Sequence, residues 1–155
     1  MKKTDLIVCK FLFEEFGLKG VKGEEFEYSP ISNTVFFAYE ALEDGALYFM
    51  SHFQSVAPDI QCDYFLASLL HEVGHHFTLD NFSYEEMSDY YDETDTIRAY
   101  LREGGDKETA NYAYFDLPVE RAATQWAINY IRNNVEKIVD FWSKFLEARV
   151  QEEVM

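Results

Sequence analysis

Three of the four histidines in this 155-residue chain fall within six positions, in the run His71-Glu72-Val73-Gly74-His75-His76. The pattern His-Glu-x-x-His carries a specific chemistry. Residues four apart lie on one face of a helix, about one turn from each other, so two imidazoles can grip a single zinc ion. Glu72 follows its histidine by one position and is turned about 100° around the axis. It flanks the ion without ligating it, where it can hold and deprotonate a zinc-bound water. Leu66, Leu70, Val73 and Phe77 form an apolar stripe at helical spacing, centred opposite the two histidines. The spacing predicts a helix from Tyr64 to Phe77 with one face in the core. The other face, which also carries Tyr64 and Ser68, presents the imidazoles to a cleft.

Two histidines leave a catalytic zinc short of one protein ligand, because such sites use three plus a water. His76 points about 100° away from His75. His52 lies near the end of an expected strand and depends on the fold to be recruited. A carboxylate from a later helix is the other solution, and the segment Leu117–Ala127 supplies one. Pro118 suits the first turn of a helix. Glu120, Ala123, Thr124 and Ala127 then share a face, beside an apolar face of Val119, Ala122, Trp126 and Tyr130. Small residues next to one carboxylate let this helix approach another closely, as a shared metal site requires. Glu120 is therefore the expected third ligand.

These segments resemble the zincin metallopeptidases of the gluzincin type, and among them the ImmA/IrrE-type peptidases. That family joins an N-terminal helix and small sheet to a His-Glu-x-x-Gly-His helix, then a helix carrying Glu-x-x-Ala-x-x-Phe-Ala. The matching residues here are His71-Glu72-Val73-Gly74-His75 and Glu120-Arg121-Ala122-Ala123-Thr124-Gln125-Trp126-Ala127. The resemblance implies zinc at His71, His75 and Glu120, with Glu72 as general base, and it spans roughly residues 4–133. It departs in three places: the stretch between the two helices is long and acidic, Thr124 stands where related families often have Asp or Asn, and Ala122 replaces a frequent second Glu. The family's activity implies a zinc-dependent endopeptidase acting on a protein or peptide. An oxyanion donor is expected as well, with Tyr112, Tyr114 and the Tyr90-Tyr91 pair as unranked candidates. Some members act on a repressor, so a regulatory or interaction protein that keeps the zincin shape without general proteolysis is the alternative. A zinc-stabilised structural domain is the bland one.

The elements around the motif read as α+β: a single zincin-like domain. Residues 4–17 have helical spacing, with Thr4 or Asp5 as N-cap and a stop in Gly17-Leu18-Lys19-Gly20. Thr34–Tyr39 and Ala46–Met50 read as a hairpin joined through Glu43-Asp44-Gly45, and Glu25–Tyr28 as a third short strand, giving a small, mostly antiparallel sheet. An edge of that sheet is expected to pair with an extended peptide. Helices follow from Pro58 onward, ending in a core-packing helix over 135–150. The segment 83–95 carries six carboxylates and no basic residue; it lacks the glycine and ligand spacing of a calcium loop and reads as a solvated loop or helix end.

Composition bounds the rest. Aromatics at 17% and hydrophobics at 48% exclude a disordered chain. A net charge of −16 repels phosphate, which argues against direct nucleic-acid contact and fits a basic protein partner loosely. No apolar run reaches the ~18 residues of a membrane span. Cys9 and Cys62 lack metal-site spacing and read as reduced thiols of a cytoplasmic protein, a single disulfide being the other option. Oligomeric state is not encoded in any of these features.

Overall fold

A computed structural model describes residues 1–40 and 43–154. Helix α1 spans Lys3–Phe16, strands β1, β2 and β3 span Lys19–Lys22, Glu27–Ser29 and Thr34–Phe37, and six helices follow: α2 Glu43–Val56, α3 Tyr64–Thr78, α4 Tyr84–Arg102, α5 Lys107–Phe115, α6 Pro118–Asn133 and α7 Val135–Val154. A mostly helical chain with one small sheet agrees with α+β. No helix among the described residues is long and apolar enough to cross a membrane.

Helix α1 begins two or three residues earlier than Thr4 or Asp5 would cap it. Lys2 is the N-cap, and both predicted caps are buried in the first turn. Asp5 instead accepts a hydrogen bond from the Tyr39 hydroxyl. The helix stops at Gly17, whose φ of 69° is the left-handed conformation that glycine adopts without a Cβ penalty.

The sheet order is β1-β3-β2, with β1 parallel and β2 antiparallel to β3. The expected hairpin is corrected: its second strand, Ala46–Met50, lies inside α2. Phe49, His52 and Phe53 are buried at i, i+3 and i+4, a helical period that a five-residue apolar window is too short to reveal. The second antiparallel partner is thereby lost, and β1 takes the other side of β3, so the sheet is mixed rather than mostly antiparallel. The sequence Lys-Gly-Val-Lys has little strand propensity of its own; β1 is held by its ladder to β3 and by packing on α1. Both cysteines are free thiols.

Most of the buried apolar residues form one cluster that draws on α1, the sheet, α2, α3, α6 and α7. Helix α7 contributes Ile138, Phe141 and Phe145, with Phe141 stacked on Phe11 at 4.1 Å between ring centroids. The predicted stripe of α3 holds at Leu66, Leu70 and Val73, whereas Phe77 is 44% exposed and stacks on Trp126. Among the described elements, α3 packs most extensively on α6. The two backbones come so close that a Cβ at Gly74 would press into the Ala123 carbonyl oxygen, with that residue's Cα and carbonyl carbon only 3.0 Å away. Gly74→Ala is therefore expected to lose about 1–3 kcal/mol to overpacking, more than the ~1 kcal/mol that alanine gains in helix propensity. Denaturant unfolding measures the difference, and an unchanged midpoint would contradict this reading of the crossing.

Candidate metal centre

Helix α3 starts at Asp63, whose carboxylate accepts from the Phe65 amide, and carries His71 and His75 onto the face that α6 covers. Helix α6 starts with Pro118 in its first turn and turns Glu120, Ala123, Thr124 and Ala127 inward, all four buried. The small side chains allow the close crossing, and the crossing delivers the carboxylate. His71 Nε2 lies 2.9 Å and His75 Nε2 3.3 Å from the same Glu120 oxygen, Oε1. Both separations are hydrogen-bond distances, and both are close to the about 3.3 Å between donors that lie about 2.0–2.1 Å from one tetrahedral ion. His71, Glu72 and His75 also form a cluster whose ligand-capable atoms lie within 4.8 Å of one another. Glu120 makes the closer contacts to both imidazoles, while Glu72 is the carboxylate of that His71, Glu72 and His75 cluster.

The Glu120 carboxylate and the His75 imidazole each shift the other's titration. Burial works to raise the Glu120 pKa, but the hydrogen bonds from His71 and His75 prevail and hold it well below the usual carboxylate range. For His75 burial favours the neutral ring, and the Glu120 carboxylate overcomes that and raises its pKa. His71 Nδ1 lies 2.9 Å from Thr124 Oγ1. With Nε2–H donated to the Glu120 oxygen, Nδ1 accepts from the Thr124 hydroxyl, which fixes the orientation of the ring. Thr124 thereby supports the His71 ring from α6.

Glu72 behaves differently. Burial pushes its carboxyl pKa up, and its Oε2 is buried with no hydrogen-bond partner. A carboxylate with a free oxygen beside two imidazoles has the placement and the raised basicity of a general base.

The tyrosine candidates separate. The Tyr90 hydroxyl donates to Glu120 Oε2 at 2.5 Å and lies 3.4 Å from the Tyr114 hydroxyl. Burial first, and then the Glu120 charge, pushes the phenol pKa of both well up. Tyr90 is committed to the carboxylate, while Tyr114 lines the cavities on both sides of the centre. Tyr91 is 59% exposed at the edge of the larger cavity. Tyr112 donates to Ser51 instead and lines neither cavity. Tyr90 belongs to the acidic segment 83–95, which forms most of α4 behind a Ser83–Glu86 capping box; its contact with Glu120 had no signal in the sequence.

The other two histidines stand apart from the cluster. His76 Nδ1 is 2.7 Å from the Tyr28 hydroxyl, which ties β2 to α3. His52 is buried on α2 with both ring nitrogens lacking a hydrogen bond, and Asp116 approaches only to 3.7 Å. Burial lowers its pKa more than Asp116 raises it. Below the ordinary histidine range near 6.5, the unfolded chain binds a proton at His52 that the folded chain resists, so stability falls as the pH drops. His52→Leu should therefore show a smaller loss of melting temperature between about pH 7.5 and about pH 5.5 than the wild type; an equal loss would contradict this.

Two cavities flank the centre. One, of 450 Å³, runs from Glu72, His75 and Glu120 past Tyr90 to Glu27 and Tyr28 of β2. The other, of 210 Å³, lies on the α2 side of His71. Tyr64 and Ser68 line it as their shared face with His71 requires. Comparison with known proteins finds no matching family model, curated protein or solved structure.

Proposed function

We propose that this chain is a zinc-dependent endopeptidase that hydrolyses an extended protein or peptide substrate, with zinc held by His71, His75 and Glu120. The observation that carries the reading is the convergence of His71 Nε2 and His75 Nε2 on one Glu120 oxygen, with the free Glu72 oxygen beside them. When bound, zinc supplies Lewis acidity: it lowers the pKa of water towards ~7 and polarises a carbonyl. Glu72 takes the proton from the attacking water and later passes it to the leaving amine. Thr124 fixes the orientation of His71, and Tyr90 holds Glu120 by its second oxygen. Tyr114 is the tyrosine left to donate to the developing oxyanion.

Two further features favour a peptide substrate over a purely structural zinc. The cavities on both sides leave the centre open, whereas structural sites are closed by protein ligands. Strand β2 pairs only with β3, so its other edge is unpaired among the described residues, and that strand lines the larger cavity. An extended peptide can add to such an edge through main-chain hydrogen bonds. The resemblance of the two motif segments to ImmA/IrrE-type peptidases supports the same reading. The test is digestion of a peptide library by the zinc-loaded protein with mass-spectrometric readout. Cleavage should stop with a chelator and return with added zinc. Zinc retention without cleavage of any peptide would favour the regulatory alternative, and cleavage indifferent to the chelator would overturn the metal mechanism.

A further inference from the structure

The smaller cavity differs from the larger one in charge. Its inner end is formed by His71, Glu72 and Glu120, and its walls by the rings of Phe26, Phe49, Tyr64 and Phe115. These rings pack on one another at 5.3–6.3 Å. Exposed carboxylates of Glu24, Glu25 and Glu40 also line it, and none of the three has an ion pair or hydrogen bond among the described residues. No Lys or Arg lines this cavity among those residues, and the sequence holds none over 23–27 or 40–46. The larger cavity, by contrast, contains Arg98, paired with Asp95. At 210 Å³ the smaller cavity is below the roughly 300–1,000 Å³ of sites for drug-sized ligands and suits one side chain.

We propose that this cavity is a side-chain subsite that receives a Lys or Arg of the peptide substrate next to the scissile bond. The inference rests on the peptidase reading and names its substrate class. Aromatic walls favour the aliphatic stem of a basic residue and attract its cation over the ring faces. The three unpaired carboxylates then meet the charged head, bidentately if it is a guanidinium. An acidic side chain would meet only like charge, and an aliphatic one would leave the rim carboxylates without a partner. Glu72, whose Oε2 is buried without a partner, lines this cavity and sets the reacting bond of such a peptide beside it.

Two measurements decide it. The first compares cleavage by the zinc-loaded protein of decapeptide libraries that fix one position as Arg, Lys, Leu or Glu. Cuts should fall at a constant distance from Arg or Lys, with kcat/KM about tenfold above the Leu series. The Glu24→Gln, Glu25→Gln, Glu40→Gln triple variant should reduce that ratio to about twofold or less. Equal cleavage of the Leu or Glu series would overturn the subsite while leaving the peptidase reading intact. If no peptide is cut, the peptidase reading fails, and the second measurement still tests the cavity. N-acetyl-arginine methylamide titrated into zinc-loaded Glu72→Gln protein should shift the amide resonances of Phe26, Phe49 and Ser68. The leucine analogue should not. Absent or equal shifts would overturn the proposal.

Discussion

Glu72→Gln is expected to keep a full equivalent of zinc and to lower kcat by about 10²- to 10⁴-fold, the range that a positioned acid–base group contributes. The substitution preserves shape and removes only the capacity to take and return a proton. It also removes a carboxyl that burial already disfavours as an anion, since the Glu72 pKa is raised and Oε2 has no partner. The melting temperature should accordingly be no lower than that of the wild type. Unchanged turnover would remove Glu72 from the mechanism, and lost zinc would make it a ligand.

Glu120→Ala is expected to weaken zinc binding by more than about 100-fold, because loss of an outer-shell partner alone costs 10–100-fold and Glu120 is placed as a ligand. Activity should vanish with the metal. The variant also strips the Tyr90 hydroxyl of its acceptor and both imidazoles of their shared partner. An unsatisfied buried polar group costs about 1–3 kcal/mol, so the metal-free fold should be destabilised as well. Arg121→Ala supplies the control on the same turn: its side chain is exposed, and its loss should change stability by no more than about 0.5 kcal/mol and leave zinc in place. Metal analysis beside denaturant unfolding separates the two variants. Equal zinc content in both would contradict the ligand assignment.

How far these residues could be read before any coordinates depends on the range of the interaction involved. His71, Glu72 and His75 are related by helical spacing alone, and the face they share with Tyr64 and Ser68 follows from the same geometry. Glu120 is distant in sequence, yet coordination number demanded a third ligand, and Ala123 and Ala127 marked a face able to approach another helix. Gly74 is the complementary half of that approach. The sheet was less legible. Ala46–Met50 is apolar over too short a window to distinguish a strand from a helix, and only burial of Phe49, His52 and Phe53 reveals the period. Strand β1 has no pattern of its own and exists because β3 offers an edge. The Tyr90–Glu120 hydrogen bond depends on how α4 returns across α6, which no local spacing encodes. The same holds for the pairing of Thr124 with His71, although the shared face of Glu120 and Thr124 placed both residues towards α3.

The central claim is that one zinc ion joins α3 to α6. Anomalous diffraction at the zinc edge, from crystals of the wild-type protein grown with zinc, measures this directly. The account predicts one peak bound by His71 Nε2, His75 Nε2 and a Glu120 carboxylate oxygen at about 2.0–2.2 Å, with a coordination position open towards Glu72 and the cavities. A zinc ion completed by His52 or another carboxylate while Glu120 points away, or no peak between the two histidines, would contradict it.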